Sequence, residues 1–314
     1  MKRGFIGWDT SELPRAALEA RLAEVQRHIA DIGVQALVAF SDVWRSNDVR
    51  YISNYMPYWN RALTVVSPGE APILLCALSP RVYPWIRSVT LHETIVPSLS
   101  LVAQLVKLCT ERGWTRIGVL DRAGLPHDLH EQLAAERLEV IDVPREGIRP
   151  IASESELTMH RRSAKLARAA LEAELGNGAV GLTDYQVTGR LERTLRRAGA
   201  EDVFVLISDG RTPPLPARGQ VFGRQSSVTV ALEYNGHWAK VSRNAAGLVV
   251  PLPPTQGETV HLQTLSRACG WEGVDQTEVA PGALVSLQVE INRDGNRLYY
   301  GETCVQGRGT VEVL

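Results

Sequence analysis

The sequence predicts a two-part chain. An N-terminal α/β half is built on a mixed sheet, and an α+β half follows in which paired helices precede antiparallel strands. Three observations carry that expectation. Through residue 143, short apolar runs alternate with helical periodicities, the pattern of a sheet layered with helices. Pro144 to Pro150 is polar and bounded by prolines, which reads as a linker. Beyond it, two helical patterns give way to period-two strands and a tight Asn235-Gly236 turn.

In chain order, residues 11–32 form an amphipathic helix pattern. Leu18, Leu22, Val25, Ile29 and Ile32 recur at three and four, Ser11 is the expected N-cap, Pro14 lies in the first turn and Gly33 ends the run. Strands are expected at 35–40, 63–66, 73–76, 93–96, 116–120 and 139–143, with helices at 80–88, 99–112 and 126–136. Pro68-Gly69 marks a hairpin between the second and third strands. After the linker, Ser153 stands three residues before Glu156, a capping box opening a long helix. A second helix runs over about 183–198, and a strand over 203–208. In 227–243, Val228, Val230 and Leu232 alternate with Thr229, Ala231 and Glu233. Trp238, Lys240 and Ser242 share one face of the return strand.

The 314 residues suit two domains, and 44% hydrophobic with 22% charged residues describes an ordinary globular chain. A formal charge of −1 provides no electrostatic footing for nucleic acid or an anionic membrane surface. Cys76, Cys109, Cys269 and Cys304 lack zinc-type spacing and read as reduced, buried thiols, so a cytoplasmic protein is expected. The N-terminal stretch meets Asp9 before an apolar core of signal length can form, and no apolar run reaches a membrane span.

The hairpin resembles that of the pita-bread metallopeptidases (aminopeptidase P, prolidase, methionine aminopeptidase) and their metal-free relative creatinase, D-x-G-x-x-x-x-G-Y-x-x-D-x-x-R. Aligned without gaps on Glu233, Tyr234, Gly236 and Arg243 the hairpin fits, and the two family aspartates fall on Thr229 and Lys240. Residues 280–291 resemble the family's "P-G-m-v-f-t-i-E-P" segment, 298–305 its closing "E-D-t-v-l-V", and 46–55 its N-terminal "N-x-x-Y-L-T-G". The resemblance implies an α/β N-terminal creatinase-type domain over 1–146, followed by a shortened α+β pita-bread domain over 147–314. Between Arg243 and Val285 there is no room for the family's second helix pair.

The family's five metal ligands are two Asp, one His and two Glu. A threonine hydroxyl is a poor ligand, and an ammonium cannot ligate while charged. The resemblance therefore implies a scaffold without metal at Thr229 and Lys240, and no metal or cofactor is expected. It places the final Glu at Glu302, the preceding one at Gln288 or Glu290, and the His at His261. Lys240 and Glu302 read either as a buried ion pair filling an abandoned site or, with His261 and His237, as catalytic groups. Thr229, Gln288, Glu290 and Arg243 are candidate substrate contacts, Arg243 having a structural ion pair as its other reading. Trp44 and Arg45 occupy the segment that reaches the partner's site in creatinase-like dimers, and a homodimer is expected. Cys304, two residues after Glu302, is an inert core thiol or, less simply, a nucleophile. The expected function is a metal-independent, creatinase-like hydrolase or lyase for a small carboxylate-bearing molecule. The alternative is a non-catalytic pseudo-peptidase that binds a peptide or protein, and behind both stands an active Xaa-Pro metallopeptidase.

Overall fold

The computed structural model describes residues 7–57, 59–148, 153–252, 259–264, 281–308 and 310–314. The chain divides into two compact units, with the division between Pro150 and Ile151.

The N-terminal unit holds a six-stranded sheet of β1 (Ala36–Ser41), β2 (Ala62–Val66), β3 (Ile73–Cys76), β4 (Thr94–Pro97), β5 (Arg116–Leu120) and β6 (Glu139–Val143), in the order β4-β3-β2-β1-β5-β6. β1–β2 and β2–β3 are antiparallel, whereas β3–β4, β1–β5 and β5–β6 are parallel, so the sheet is mixed as expected. All of β1, β2 and β3 is buried, because both parities meet helices. Leu37 and Ala39 pack in one core with Leu18, Val25 and Ile29 of α1 (Arg15–Asp31) and with Val49 and Ile52 of α2 (Asn47–Ser53). Ile86 of α3 (Tyr83–Val89) belongs to the same core. Ala36, Val38 and Phe40 pack on the other side with Leu101 and Leu105 of α4 (Leu101–Arg112) and with Leu129 and Leu133 of α5 (His127–Ala134).

Two local expectations are corrected. Pro14, not Ser11, precedes α1. The Ser11 amide and hydroxyl both bond the Asp9 carboxylate, at 2.9 and 2.6 Å, which makes Ser11 part of a turn ahead of the helix. The stretch read as a linker contains a short helix, α6 (Arg145–Ile148), whose Arg145 lies 3.0 Å from Asp48 and 2.7 Å from Asp121.

The C-terminal unit opens with α7 (Glu154–Gly176) and α8 (Asp184–Arg197), each started by a full capping box: Ser153 with Glu156, and Thr183 with Gln186. β7 (Asp202–Ser208), β8 (Ser227–Tyr234), β9 (His237–Asn244), β10 (Thr259–Thr264), β11 (Leu284–Arg293) and β12 (Asn296–Gln306) follow. They lie in the order β10-β11-β12-β9-β8-β7, all antiparallel, with β13 (Val311–Val313) on β12. Asn235 and Gly236 both have positive φ, 45° and 79°, the geometry a two-residue hairpin turn demands. Val203, Val205, Val228, Val230, Leu232 and Val241 share one face of the sheet. They pack in a single core with Met159, Ala167 and Leu171 of α7 and with Val187, Leu191 and Leu195 of α8. Burial of such side chains contributes roughly 1.5–3 kcal/mol each.

Of the stretch expected to replace a second helix pair, 244–252, 259–264 and 281–284 are described. Cys269, Pro253, Pro254 and Ala280 lie outside the described residues, as does the linker's terminal Pro150. Among the described residues, no helix is long and apolar enough to cross a membrane.

Candidate functional site

Paired residues on antiparallel strands point to the same face, and neighbours along a strand alternate. Thr229 pairs with Ser242, Ser242 with Gly301, Gly301 with Gln288, and Gln288 with His261. These positions form one row across β8, β9, β12, β11 and β10. Parity puts Lys240, Glu233, Ser286, Glu290, Tyr299 and Thr303 on the same face, called the polar face below. The other face carries the valine and leucine layer under α7 and α8, together with His237, Arg243, Tyr300, Glu302 and Cys304.

The centre of the polar face is a chain of side-chain hydrogen bonds. Thr229 Oγ1 lies 2.7 Å from Ser242 Oγ, the Ser242 hydroxyl donates to Gln288 Oε1, and Gln288 Nε2 donates to Ser286 Oγ at 2.8 Å. All four residues are buried, so each polar atom needs such a partner. Lys240, on the same face, is only 6% exposed. Its backbone amide donates to Thr303 Oγ1, and that hydroxyl donates back to the Lys240 carbonyl, at 2.9 and 3.1 Å. This reciprocal pair ties β9 to β12 at the lysine. Trp238 stacks on Phe204 with ring centroids 5.8 Å apart.

Toward β10 the face becomes charged. Arg297 donates to both oxygens of Glu290, Nε at 2.8 Å and Nη2 at 2.7 Å, and Tyr299 Oη donates at 3.0 Å. The Arg297 hydrogen bonds hold the Glu290 carboxyl below its usual range, with Tyr299 adding to them against the opposing effect of burial. Burial, with the bond to Glu290, pushes the Tyr299 phenol up to about 12. His261 Nε2 lies 3.8 Å from Glu290 Oε2.

The helix face holds a different cluster. Glu302 is buried between Arg168 of α7, at 3.0 Å, and Arg243, at 2.5 Å. Arg168 also donates to the Leu314 carbonyl at 2.6 Å, and the Arg243 guanidinium lies 4.8 Å over the Tyr300 ring. Cys304 is fully buried, and burial pushes its thiol up to about 12. That is the state of an inert thiol rather than a nucleophile. His237 Nδ1 bonds the Asn235 carbonyl at 2.7 Å, and its ring sits edge-on to His160 of α7 at 5.1 Å.

Strand register therefore corrects the expected site. Lys240 and Glu302, read either as an ion pair or as joint catalytic groups, lie on opposite faces of the sheet, and Glu302 pairs with Arg168 and Arg243. Gly301, not Glu302, stands in the row beside Gln288. His237 and Arg243 also face the helices, where Arg243 pairs with Glu302. Thr229, Lys240, Gln288, Glu290 and His261 are brought together on the polar face. Trp44 and Arg45 belong to the N-terminal unit. The Asp42 carboxylate accepts both of their amides, Arg45 bonds the Gly124 carbonyl, and Trp44 is 68% exposed.

Sequence reasoning placed Ser242 on the face of Lys240 without making it a site residue, and it missed Ser286, whose signal was parity with Gln288. It also missed Arg168, whose signal was a charge four residues after Ala164 and three before Leu171, on the apolar stripe of α7. Arg297 and Tyr299, the partners of Glu290, were missed as well.

No family model matches the sequence, and no curated protein sequence does either. Solved structures do match. An Xaa-Pro dipeptidase from Bacillus anthracis superposes with a TM-score of 0.72 at 15% identity, over 94% of this chain and 97% of that one. The prolidase of Pyrococcus horikoshii OT3 gives 0.71 at 14% identity, over 94% and 97%. The dipeptidase PepE of Mycobacterium ulcerans gives 0.69 at 14%, over 98% and 96%. The chain thus has the two-part prolidase fold, an N-terminal α/β domain followed by a pita-bread domain.

The metallopeptidases of this fold imply a pair of divalent cations on the sheet. The residues present do not fit them. Thr229, Ser242 and Gln288 offer two hydroxyls and a carboxamide engaged with one another, Gly301 offers no side chain, a lysine stands on the same face, and the Glu290 carboxylate beside His261 is taken up by Arg297 and Tyr299, where hard cations require carboxylates free to ligate. Among the described residues no group of three or more His, Cys, Asp or Glu is placed to hold a metal.

Proposed function

We propose that this chain is a metal-independent hydrolase or lyase whose polar sheet face takes a small carboxylate-bearing molecule. The observation that supports this reading is Lys240. A buried ammonium stands beside a neutral chain of hydroxyls and one carboxamide, on a face that also carries the Glu233 and Glu290 carboxylates, and an ammonium in that place can hold an anionic guest through a charge-assisted hydrogen bond. Lys240 binds the carboxylate or stabilises an oxyanion. His261, beside a carboxylate that Arg297 and Tyr299 hold in one orientation, moves the proton. The reading includes a homodimer in which Trp44 and Arg45 approach the partner's polar face, and the exposure of Trp44 is consistent with it.

A second reading is a non-catalytic module for a peptide or protein. The mutual satisfaction of Thr229, Ser242, Gln288 and Ser286 favours it, since those groups are already engaged. Hydrolysis of Xaa-Pro dipeptides, named for the structural neighbours, is not carried over, because it would call on metal donors that the row lacks.

The first test is metal content by mass spectrometry, beside an X-Pro dipeptide assay with added manganese. The expected result is neither stoichiometric metal nor turnover, and both together would overturn the reading. A thermal-shift screen of small carboxylates then separates the two readings. Stabilisation lost in Lys240→Ala, with product formation lost but binding kept in His261→Ala, supports the enzyme. Peptide binding without any product supports the module.

A further inference from the structure

Gly301 occupies the middle of the row, between Ser242 on β9 and Gln288 on β11. Its φ is not in the left-handed region, so no backbone conformation calls for glycine there. Space does. A Cβ at this position would overlap the Gln288 carboxamide, which lies directly over the glycine. Only across that gap can Gln288 reach Ser242, a strand further on, while its Nε2 donates back to Ser286 on its own strand. The reach engages both ends of the amide and passes the order on to Thr229 through the Ser242 hydroxyl.

Resting on the metal-independent reading above, we infer that Gln288 folded across Gly301 determines the specificity of this face. The pair closes the centre of the row into a hydrogen-bonded ladder that refuses divalent cations whether or not the Lys240 ammonium is present. A cation entering between Thr229 and Gln288 would have to break the ladder and would meet neutral hydroxyl and amide oxygens there, a donor set too weak to replace the water shell of a hard dication, while the nearby Glu290 carboxylate is already held by Arg297 and Tyr299. Lys240 adds repulsion but is not what closes the row. The ladder is a positioning device for the face, and its members act through one another.

Two measurements test this. In the first, Gly301→Ala is made in the wild type and in Gln288→Ala, and melting temperatures are compared. Alanine should lower the wild-type midpoint by several degrees. In the Gln288→Ala background it should be neutral or stabilising, because a strand glycine with ordinary φ is otherwise the weaker residue. Equal losses in both backgrounds overturn the pairing of Gly301 with Gln288. In the second, manganese(II) chloride is titrated calorimetrically into the wild type and Lys240→Ala. Neither is expected to bind it. Binding by Lys240→Ala alone shows that the ammonium, not the ladder, keeps cations out, and overturns the inference while leaving metal independence standing. Stoichiometric binding by the wild type overturns both.

Discussion

On the helix face of the C-terminal sheet, one carboxylate sits between two guanidinium groups beside the valine and leucine layer. On the polar face, the centre of the row is a chain of hydroxyls and one carboxamide. Glu302 is nearly inaccessible and compensated from two sides by Arg168 and Arg243. The Thr229–Ser242–Gln288–Ser286 chain is as deeply buried, yet its centre needs no formal charge. Both solutions satisfy buried polar atoms, but they respond differently to change. An ion cluster is expensive to break because the survivors keep their charge. A neutral chain loses one or two hydrogen bonds and stays neutral.

The largest effect should come from Glu302→Ala, which leaves Arg168 and Arg243 facing each other without their shared carboxylate. A loss of about 3–5 kcal/mol is expected, read from urea midpoints with an unchanged m-value. A loss under about 1 kcal/mol would mean that the helix-face cluster is no more demanding than a surface pair. Ser242→Ala interrupts the neutral chain at its middle and strands the Gln288 carbonyl. About 1–3 kcal/mol is expected, and a loss as large as that of Glu302→Ala would erase the contrast between the faces.

Acid should sharpen the comparison further. The Glu290 carboxyl is held below its ordinary range, chiefly by Arg297. Its contribution is therefore present above the unfolded carboxylate value of about 4.3 and is lost as pH falls through the lower folded value. Arg297→Met should flatten the stability profile in that window, while leaving the slope above pH 6 unchanged in urea titrations. A profile unaltered at low pH would show that the Arg297 fork is not what holds the carboxyl down. The smallest effect is expected at Cys304. With its thiol buried and pushed up to about 12, native protein should not be alkylated there by iodoacetamide at pH 8, and denatured protein should be. Native labelling at Cys304 would mean that the helix face opens.

Much of this was legible in the residues. The capping box at Ser153 and Glu156, the Asn235-Gly236 turn, the apolar parity of β7 and β8, and the alternation of the N-terminal half each depend on neighbours a few positions apart. That Thr229, Lys240, Gln288, Glu290 and His261 belong to one group could be read from the sequence, and they share one face of the sheet. Glu302 was misjudged for a definite reason. It lies one residue from the position that faces the row, and a single-residue change in strand register exchanges the two faces completely. His237 was misjudged in the same way, by parity across the turn.

The sequence by itself thus determined the order of the elements, the turns, the helix starts and the alternation within each strand, because those follow from local backbone preferences and apolar periodicity. Only the tertiary structure decided which residues meet. The pairing of Ser242 with Gly301 joins strands far apart in the chain. It follows from the packing of the whole sheet against α7 and α8, not from any local preference of β9 or β12. That one pairing puts Glu302 under the helices with Arg168, opens the gap at Gly301 that Gln288 fills, and sets Lys240 on the polar face.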